Sequence, residues 1–414
     1  MSSPIKTSGG SSVLLERGIN IKQLLLNKRQ QSRKKDFCEF FAGIGLVRAG
    51  LIASGWNCVY SNDIDPKKYE MYERQFGASE HFHLEDIWKT DEVVSKITEA
   101  PFLATASFPC TDLSLAGRGR GFKGKHSSTF FGFVKVIDSL KERRPKLVML
   151  ENVTGFITSH GGSEFTSAVK ALADLGYWID AFVLDAKFFV PQSRPRVFVI
   201  GLHKSQDCSS VTRQSSIDSL VNPWMDIIDR RPSALRPDPL LHLMQTIRLS
   251  TGWMAFELEQ PNQKRSKLED LIDLDNNQEW WDEQMVSKHY DMMSDLHRNR
   301  VDALLAEKGI HVGTIYRRKR HDRTYAEVRL DGVAGCLRTP RGGSARQIIV
   351  VITKGKLRMR WMSPREYARL QGADNFQLVE HSNQNLFGFG DAVCVPAIAW
   401  IDQNILSPIF ELAS

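Results

Sequence analysis

One stretch near the N-terminus sets the architecture of the chain, Phe37-Cys38-Glu39-Phe40-Phe41-Ala42-Gly43-Ile44-Gly45. Its apolar first half predicts a buried strand from Phe37 to Phe41. Gly43 and Gly45 allow a tight backbone turn, and the residues after them, through Ile52, follow a helical pattern. A strand that ends in a glycine turn and opens a helix favours a ligand site at the carboxyl edge of a sheet.

The same alternation of strand and helix patterns continues from Asp36 to Leu202. Apolar strands are predicted at 56–60, 102–107, 147–153, 177–186 and 191–201. Helices are predicted to begin at Thr129 and at Ser163, which would cap a helix that ends at Gly176. This order predicts an α/β fold with a mostly parallel sheet and helices on both faces.

The second strand ends at an acidic turn, Ser61-Asn62-Asp63-Ile64-Asp65. An acid in this place can accept both hydroxyls of a ribose. A nicotinamide dinucleotide would need G-x-G-x-x-G/A for its pyrophosphate, and position 48 is Arg. The residues therefore do not favour a nicotinamide dinucleotide.

A proline and a cysteine follow the strand predicted at 102–107. Pro109 ends the strand because it has no N–H to donate, so Cys110 is presented at a turn. Residues 111–125 hold four glycines and four Arg/Lys residues, which suit a flap that closes over a polyanion. Cys110 could be a thiolate nucleophile, or, as an isolated cysteine, a half-buried packing residue.

Bulk properties exclude several classes of protein. The chain has 414 residues, 42% of them hydrophobic and 25% charged, which is typical of a globular protein of two or three domains. Its net charge of +7 favours a polyanionic partner. The six cysteines form no C-x-x-C pair and no metal-ligand spacing with histidine, so we expect a reducing environment and no metal site. The chain lacks an apolar run of about 20 residues and a signal-peptide pattern, so we expect a cytoplasmic protein without a membrane span.

Five short motifs occur in a fixed order along the chain. They are Phe41-x-Gly43-x-Gly45, Pro109-Cys110, Glu151-Asn152-Val153, Gln192-x-Arg194-x-Arg196 and Gly388-Phe389-Gly390-Asp391-Ala392-Val393. The ordered set resembles the cytosine-C5 DNA methyltransferases of restriction–modification systems. The resemblance covers about 36–202 and about 324–414, and five motifs in order make it specific.

The resemblance implies a Rossmann-like fold that binds S-adenosylmethionine. Asp63 would hold the ribose, Ile64 would pack on the adenine, and Asp86 with Ile87 would hold the exocyclic amine of the adenine. The other cofactor-binding residues would be Phe41, Ala42, Gly43, Ile44, Gly45, Pro109, Phe130, Asp391 and Ala392. From the residues alone, Asp86 could instead be the N-cap of a helix.

The resemblance also implies a reaction at C5 of cytosine. Cys110 would add to ring C6, and Arg194 would favour its thiolate. Glu151 would protonate or hydrogen-bond ring N3, and Arg196 would hold the base O2 and orient Glu151. The chain departs from the family pattern at Thr111, where Gln is usual, and at Asp391, where Asn is usual.

Four regions are expected: a basic leader at 1–35, the first part of the catalytic domain at 36–202, a target-recognition region at 203–323, and a C-terminal part at 324–414 that completes the catalytic domain. The recognition region is polar, with one helix predicted from about Glu279 to Ala306. Predicted DNA contacts are Ser114, Arg118, Arg120 and Lys123 in the flap and Arg317, Arg318, Lys319 and Arg320 at the end of the region. The basic run could also be a solvated surface loop.

The expected activity is methylation of a flipped-out cytosine in a specific duplex DNA sequence. Double-stranded DNA would be the substrate, and the enzyme would be a monomer. The functional partner would be a restriction endonuclease that acts on the same site. A transfer-RNA methyltransferase is the alternative, although its typical Cys-Phe-Thr tripeptide is absent. A catalytically inert DNA-binding homologue is a further alternative, opposed by the presence of Cys110, Glu151 and Arg196.

Overall fold

The computed structural model describes residues 34–109, 129–206, 213–214, 234–262, 266–275, 278–321, 323–340 and 345–413. Seven strands form the main sheet: β1 (Asp36–Phe40), β2 (Asn57–Asp63), β3 (Phe82–Leu84), β4 (Leu103–Ala106), β5 (Leu147–Val153), β6 (Tyr177–Asp185) and β7 (Pro195–His203). Their order across the sheet is β3-β2-β1-β4-β5-β7-β6, and β7 runs antiparallel to both neighbours. The predicted mostly parallel α/β sheet is confirmed.

Helices cover both faces of this sheet. The first six along the chain are α1 (Leu46–Leu51), α2 (Pro66–Phe76), α3 (Thr90–Lys96), α4 (Thr129–Ser139), α5 (Ser163–Asp174) and α6 (Asp238–Thr246). Successive strand residues enter different apolar clusters: Phe37 packs on one face and Cys38 on the other. Because both faces are buried, these strands read as continuous apolar runs. The N-cap of α5 is Gly162, so the prediction that Ser163 caps this helix was wrong.

The C-terminal residues return to the main sheet. After α7 (Leu268–Leu271), α8 (Glu283–Asp291) and α9 (Asp295–Ala306) come α10 (Pro364–Leu370), α11 (Ser382–Asp391), α12 (Val395–Ile401) and α13 (Ser407–Leu412). Helix α12 packs on α1, where a Cβ on Gly50 would lie 2.6 Å from the Ile398 Cβ. Ser363 caps α10, in a reciprocal box with Glu366. Helices α1 and α12, from opposite ends of the chain, therefore pack in one layer.

The helical run Ser382–Leu412 is long and apolar enough to cross a membrane, with a mean hydropathy of 1.3 over its most apolar window. However, 56% of that window is buried inside the protein. Ile398, Ile401 and Ile405 belong to the apolar cluster on one face of the main sheet. These contacts are those of a core element in a globular fold.

A smaller antiparallel sheet lies outside the catalytic layers. Its strands are β10 (His311–Arg320), β11 (Arg323–Arg329), β12 (Ile348–Thr353) and β13 (Lys356–Trp361), in the order β11-β10-β12-β13. Short strands β8 (Arg213–Gln214) and β9 (Met254–Ala255) form a separate pair. The β10–β11 hairpin crosses position 323, where the sequence places a domain boundary, so the chain does not divide between structural elements at that position.

One prediction for residues 203–323 was wrong. The helix expected from Glu279 to Ala306 is broken in two, because Ser294 has extended backbone angles and starts α9 anew. The basic run at 317–320 forms the end of β10 and pairs residue by residue with β11, so the alternative of a surface loop does not hold. The predicted leader at 1–35 lies outside the described residues except for Lys34 and Lys35.

Candidate active site

A cavity of about 690 Å³ opens at the carboxyl ends of β1, β2 and β5. Its walls collect predicted residues from distant parts of the chain: Phe41, Ala42, Gly43, Ile44, Asp63, Ile64, Asp86, Ile87, Pro109, Glu151, Arg194, Arg196, Asp391 and Ala392. The carboxyl edge of a parallel sheet is the usual place for a ligand in such folds. The cavity is therefore the candidate active site.

Two predicted residues do not line this cavity. Phe130 is fully buried and packs on Phe108 and Phe133 in the core, while its neighbour Thr129 reaches the cavity wall. Gly45 has φ of 80°, and a Cβ there would lie 2.5 Å from the ring of Phe76. Gly45 thus permits the close approach of α2, and Phe130 supports the wall from behind.

The glycine turn and the acidic turn are joined by hydrogen bonds. The Gly43 N–H donates to Asp63 Oδ2 at 2.9 Å, and the Asp65 N–H donates to Asp63 Oδ1 at 3.0 Å. Phe41 and Gly43 both have positive φ, of 55° and 57°. Each carboxylate oxygen can accept more than one hydrogen bond, so Asp63 keeps capacity for a ligand hydroxyl.

An apolar edge adjoins Asp63. Ile64 is 69% exposed and Trp88 is 44% exposed, and both line the cavity. Asp86 lies between them in sequence, and its Oδ1 accepts a hydrogen bond from the Trp88 N–H at 3.0 Å. The N-cap of α3 is Lys89, so Asp86 is not the helix cap that the residues alone allowed. Two exposed apolar side chains beside a carboxylate suit a flat heterocycle with an amine.

The cavity wall also holds a carboxylate and a guanidinium. Glu151 is near the end of β5, and Arg196 is on the antiparallel neighbour β7, where it pairs with Val153. Arg196 Nε lies 3.0 Å from Glu151 Oε1, and both side chains are largely buried. Pro109 also lines the cavity. Cys110 and the flap residues Ser114, Arg118, Arg120 and Lys123 lie outside the described residues.

Arg194 is 2% exposed and holds the C-terminal segments against the sheet. Its guanidinium donates to the carbonyl oxygens of Leu337, Gly390 and Ala392. It also lies 3.5 Å from the Cys336 sulfur. Burial lowers the pKa of Arg194. Its hydrogen-bonding groups are therefore largely engaged by backbone carbonyls, a structural task that the sequence did not suggest.

Sequence reasoning missed several groups of the site. Glu39 is 1% exposed, lines the cavity, and burial raises its pKa to about 8. Its Oε2 and the Asn152 Nδ2 have no hydrogen-bond partner among the described residues. Burial raises the pKa of Cys336, but Arg194 and Arg196 outweigh this and hold that pKa below its usual value. The position of Glu39, two residues before the glycine turn, was the signal that could have identified it.

Intramolecular contacts distinguish the four cations of the basic run. Arg317 lies 4.8 Å from the ring centre of Trp361, and burial lowers its pKa. Arg318 is exposed beside Tyr316, and Arg320 Nη2 lies 2.6 Å from Glu327 Oε1. Lys319 is exposed and forms no ion pair with any described residue. Lys319 and Arg318 are therefore the cations most available to an external anion.

Solved structures with the same fold cover nearly the whole chain. The Entamoeba histolytica methyltransferase EhMeth matches with a TM-score of 0.58 at 14% identity, covering 92% of this chain and 99% of its own. The Dnmt2 methyltransferase of S. pombe matches with a TM-score of 0.52 at 14% identity, covering 91% of this chain and 99% of its own. At these identities the likeness establishes the fold alone.

Sequence comparison finds relatives over the same length. Type II methyltransferase M.HpaII of Haemophilus parainfluenzae is 25% identical over 396 residues, which cover 92% of this chain and 91% of the relative. Type II methyltransferase M.BsuFI of Bacillus subtilis is 33% identical over 177 residues, 42% of this chain and 41% of the relative. The family model for C-5 cytosine-specific DNA methylase matches residues 35–407. With the ordered motifs gathered around one cavity, the chain belongs to the C-5 cytosine-specific DNA methylase family.

Proposed function

We propose that this chain methylates C5 of one cytosine in a specific duplex DNA sequence, through a transient covalent bond from Cys110. The observation that carries the proposal is the Glu151–Arg196 pair, 3.0 Å apart, in the wall of a cavity that Pro109 also lines. Family membership supplies the substrate class. The chain continues from Pro109 directly into Cys110, so the thiol follows a residue of the cavity wall.

The residues present fit S-adenosylmethionine as the methyl donor. Asp63 suits the ribose, and the exposed face of Ile64 with Asp86 suits the adenine. Glu39 offers a buried carboxyl oxygen without a partner in the described part of the chain. A cavity of about 690 Å³ is also within the usual size of a cofactor site. When bound, the cofactor supplies an electrophilic methyl group on a sulfonium.

The protein residues would divide the work on the base. Cytosine C5 is a weak nucleophile, so the Cys110 thiolate adds to C6 and pushes its electron pair into the ring. Glu151 donates a hydrogen bond or a proton at N3, where negative charge develops. Arg196 holds Glu151 in place and binds the base O2. As C5 bonds to the methyl carbon, the bond from that carbon to the sulfonium breaks and a neutral thioether leaves. Glu151 takes back any proton it gave to N3. A base then removes the C5 proton, the C6–sulfur bond breaks, and the thiolate is restored.

The DNA substrate requires more than the cavity. A paired base cannot reach the cavity floor, so it must be flipped out of the duplex at a cost of about a few kcal/mol. Contacts of the recognition unit with phosphates would compensate, and Arg318 and Lys319 on β10 are suited to them. We also propose a cytoplasmic monomer that protects the site of a restriction endonuclease, a role supported by the type II names of the relatives.

A labelling experiment tests the proposal. The full chain is incubated with S-adenosylmethionine labelled in its methyl group and with plasmid DNA or bulk tRNA, and the modified base is mapped. We expect label at C5 of cytosine in one plasmid sequence. The Cys110→Ser variant should give no such label but should still bind the cofactor. Label confined to tRNA would refute the DNA assignment. Turnover by Cys110→Ser above about a hundredth of wild type would refute the nucleophile.

A further inference from the structure

A lysine and an aspartate from distant helices meet on the cavity wall. Lys68 lies in the first turn of α2, and Asp391 is the last residue of α11. Lys68 Nζ is 3.1 Å from Asp391 Oδ2, and both residues line the cavity. Their side chains are 23% and 46% exposed. An ion pair this exposed contributes about 0–1 kcal/mol to stability, so stability gives little reason for its position.

Neighbouring groups hold both charges in place. Asp65 caps α2 and thereby fixes the turn that carries Lys68. The stem of Lys68 passes the glycine turn, since a Cβ on Gly43 would lie 3.9 Å from its Cδ. Arg194 binds the carbonyls on both sides of Asp391. Burial lowers the pKa of Lys68, but Asp391, Asp63 and Asp65 outweigh it and raise the pKa, so this lysine is a cation.

Other cations at the cavity are engaged elsewhere. Among the described residues of the wall, Arg194 is taken up by backbone carbonyls and Arg196 lies against Glu151. Lys68 is more exposed than either arginine, so it is the described wall cation most accessible to an anionic group, and its partner Asp391 can receive a cation. The pair thus presents one positive and one negative charge side by side, which matches a zwitterion.

We propose that Lys68 and Asp391 bind the amino-acid end of the cofactor, Lys68 taking its carboxylate and Asp391 its ammonium group. The assignment rests on the proposed function, in which S-adenosylmethionine is the methyl donor. It deepens that function by naming the residues that distinguish a nucleoside bearing an amino acid from one without it. Asp391 thereby has a use in this chain at the position where the family usually has Asn.

The test compares two neutral thioethers by calorimetry on the full chain. S-adenosylhomocysteine carries the amino-acid end, and 5′-methylthioadenosine lacks it, while both share the adenosine. In Lys68→Ala, the affinity for S-adenosylhomocysteine should fall about 10- to 100-fold, as expected for loss of a charged hydrogen bond. The affinity for 5′-methylthioadenosine should stay within about twofold, since its contacts are retained. Asp391→Asn should show the same selectivity with a smaller loss.

Matched variants control for folding and for general charge. Lys67→Ala removes an exposed cation from the same helix turn and should change neither affinity. Lys68→Arg keeps the charge and should recover much of the lost binding. If Lys68→Ala lost affinity equally for both ligands, or lost none, the assignment of Lys68 and Asp391 would be overturned, while the proposed cofactor would stand. A wild-type chain that binds neither ligand nor S-adenosylmethionine would overturn the proposed cofactor as well.

Discussion

Replacing Arg194 with Met should destabilise the protein rather than only slow the reaction. The guanidinium donates to the carbonyls of Leu337, Gly390 and Ala392. Gln371 Nε2 also donates to the Ala392 oxygen at 3.3 Å, and the Cys336 thiol donates to the Leu337 oxygen at 3.4 Å, so the Gly390 carbonyl depends most on Arg194. A buried acceptor that loses its donor costs about 1–3 kcal/mol, and we expect a loss of that size in the free energy of unfolding.

Urea unfolding followed by tryptophan fluorescence measures this loss as a lower midpoint at an unchanged slope. Arg338→Ala is the matched control, because Arg338 is exposed beside Leu337 and should leave the midpoint unchanged. Alkylation of Cys110, followed by mass spectrometry of its peptide, measures the other predicted role of Arg194, support of the thiolate. An unchanged midpoint with alkylation slowed about tenfold would refute the structural role and favour the electrostatic one.

Three further predictions concern proton transfer, pH and DNA. Glu151→Gln should preserve DNA and cofactor binding and lower turnover, because an amide cannot deliver a proton; wild-type turnover in single-turnover assays would contradict this. Burial raises the pKa of Glu39 in the folded state to about 8 from 4.5, so the folded state stays protonated at pH values where the unfolded state has lost this proton. The free energy of unfolding should therefore fall by about 1.4 kcal/mol per pH unit between pH 4.5 and pH 8. Glu39→Gln should flatten the decline in urea midpoint between pH 6 and pH 8, and an equally steep decline in the variant would exclude Glu39 as its source. Lys319→Ala should reduce the slope of log K for DNA binding against log salt by about 0.9, without moving the methylated site. Arg320→Ala removes a cation already paired with a carboxylate, so it should change the slope less. Equal slopes in both variants and in wild type would show that these β10 cations do not contact DNA.

The catalytic sheet was predictable because its strands are buried on both faces. Residues 147–153 are apolar up to Glu151, and the observed strand β5 has the same limits as the predicted one. The glycine turn and Asp63 were also predictable, since local backbone geometry demands glycine and an acid after a strand is a local signal. Each of these signals lies within a few residues of the feature it predicts.

The other features of the fold and the site depend on contacts between residues that are far apart in the sequence. Val312 and Ile315 of β10 face different apolar clusters, so the strand lacks the alternation that marks one buried face. The partners of Arg194 lie more than 140 positions away. Lys68 resembles any surface lysine of a helix until Asp391 is brought beside it. Long-range packing, rather than local propensity, created these features.

The cavity wall that joins Asp63 to Asp391 has a consequence for synthesis of the protein. A ribosome completes the main sheet when it has added β7, yet Asp391 and Ala392 are still nearly 190 residues from being translated. Premature termination in that interval yields a polypeptide with a glycine turn and an acidic turn but without the far wall of the pocket. The described wall of this cavity is therefore complete only late in translation.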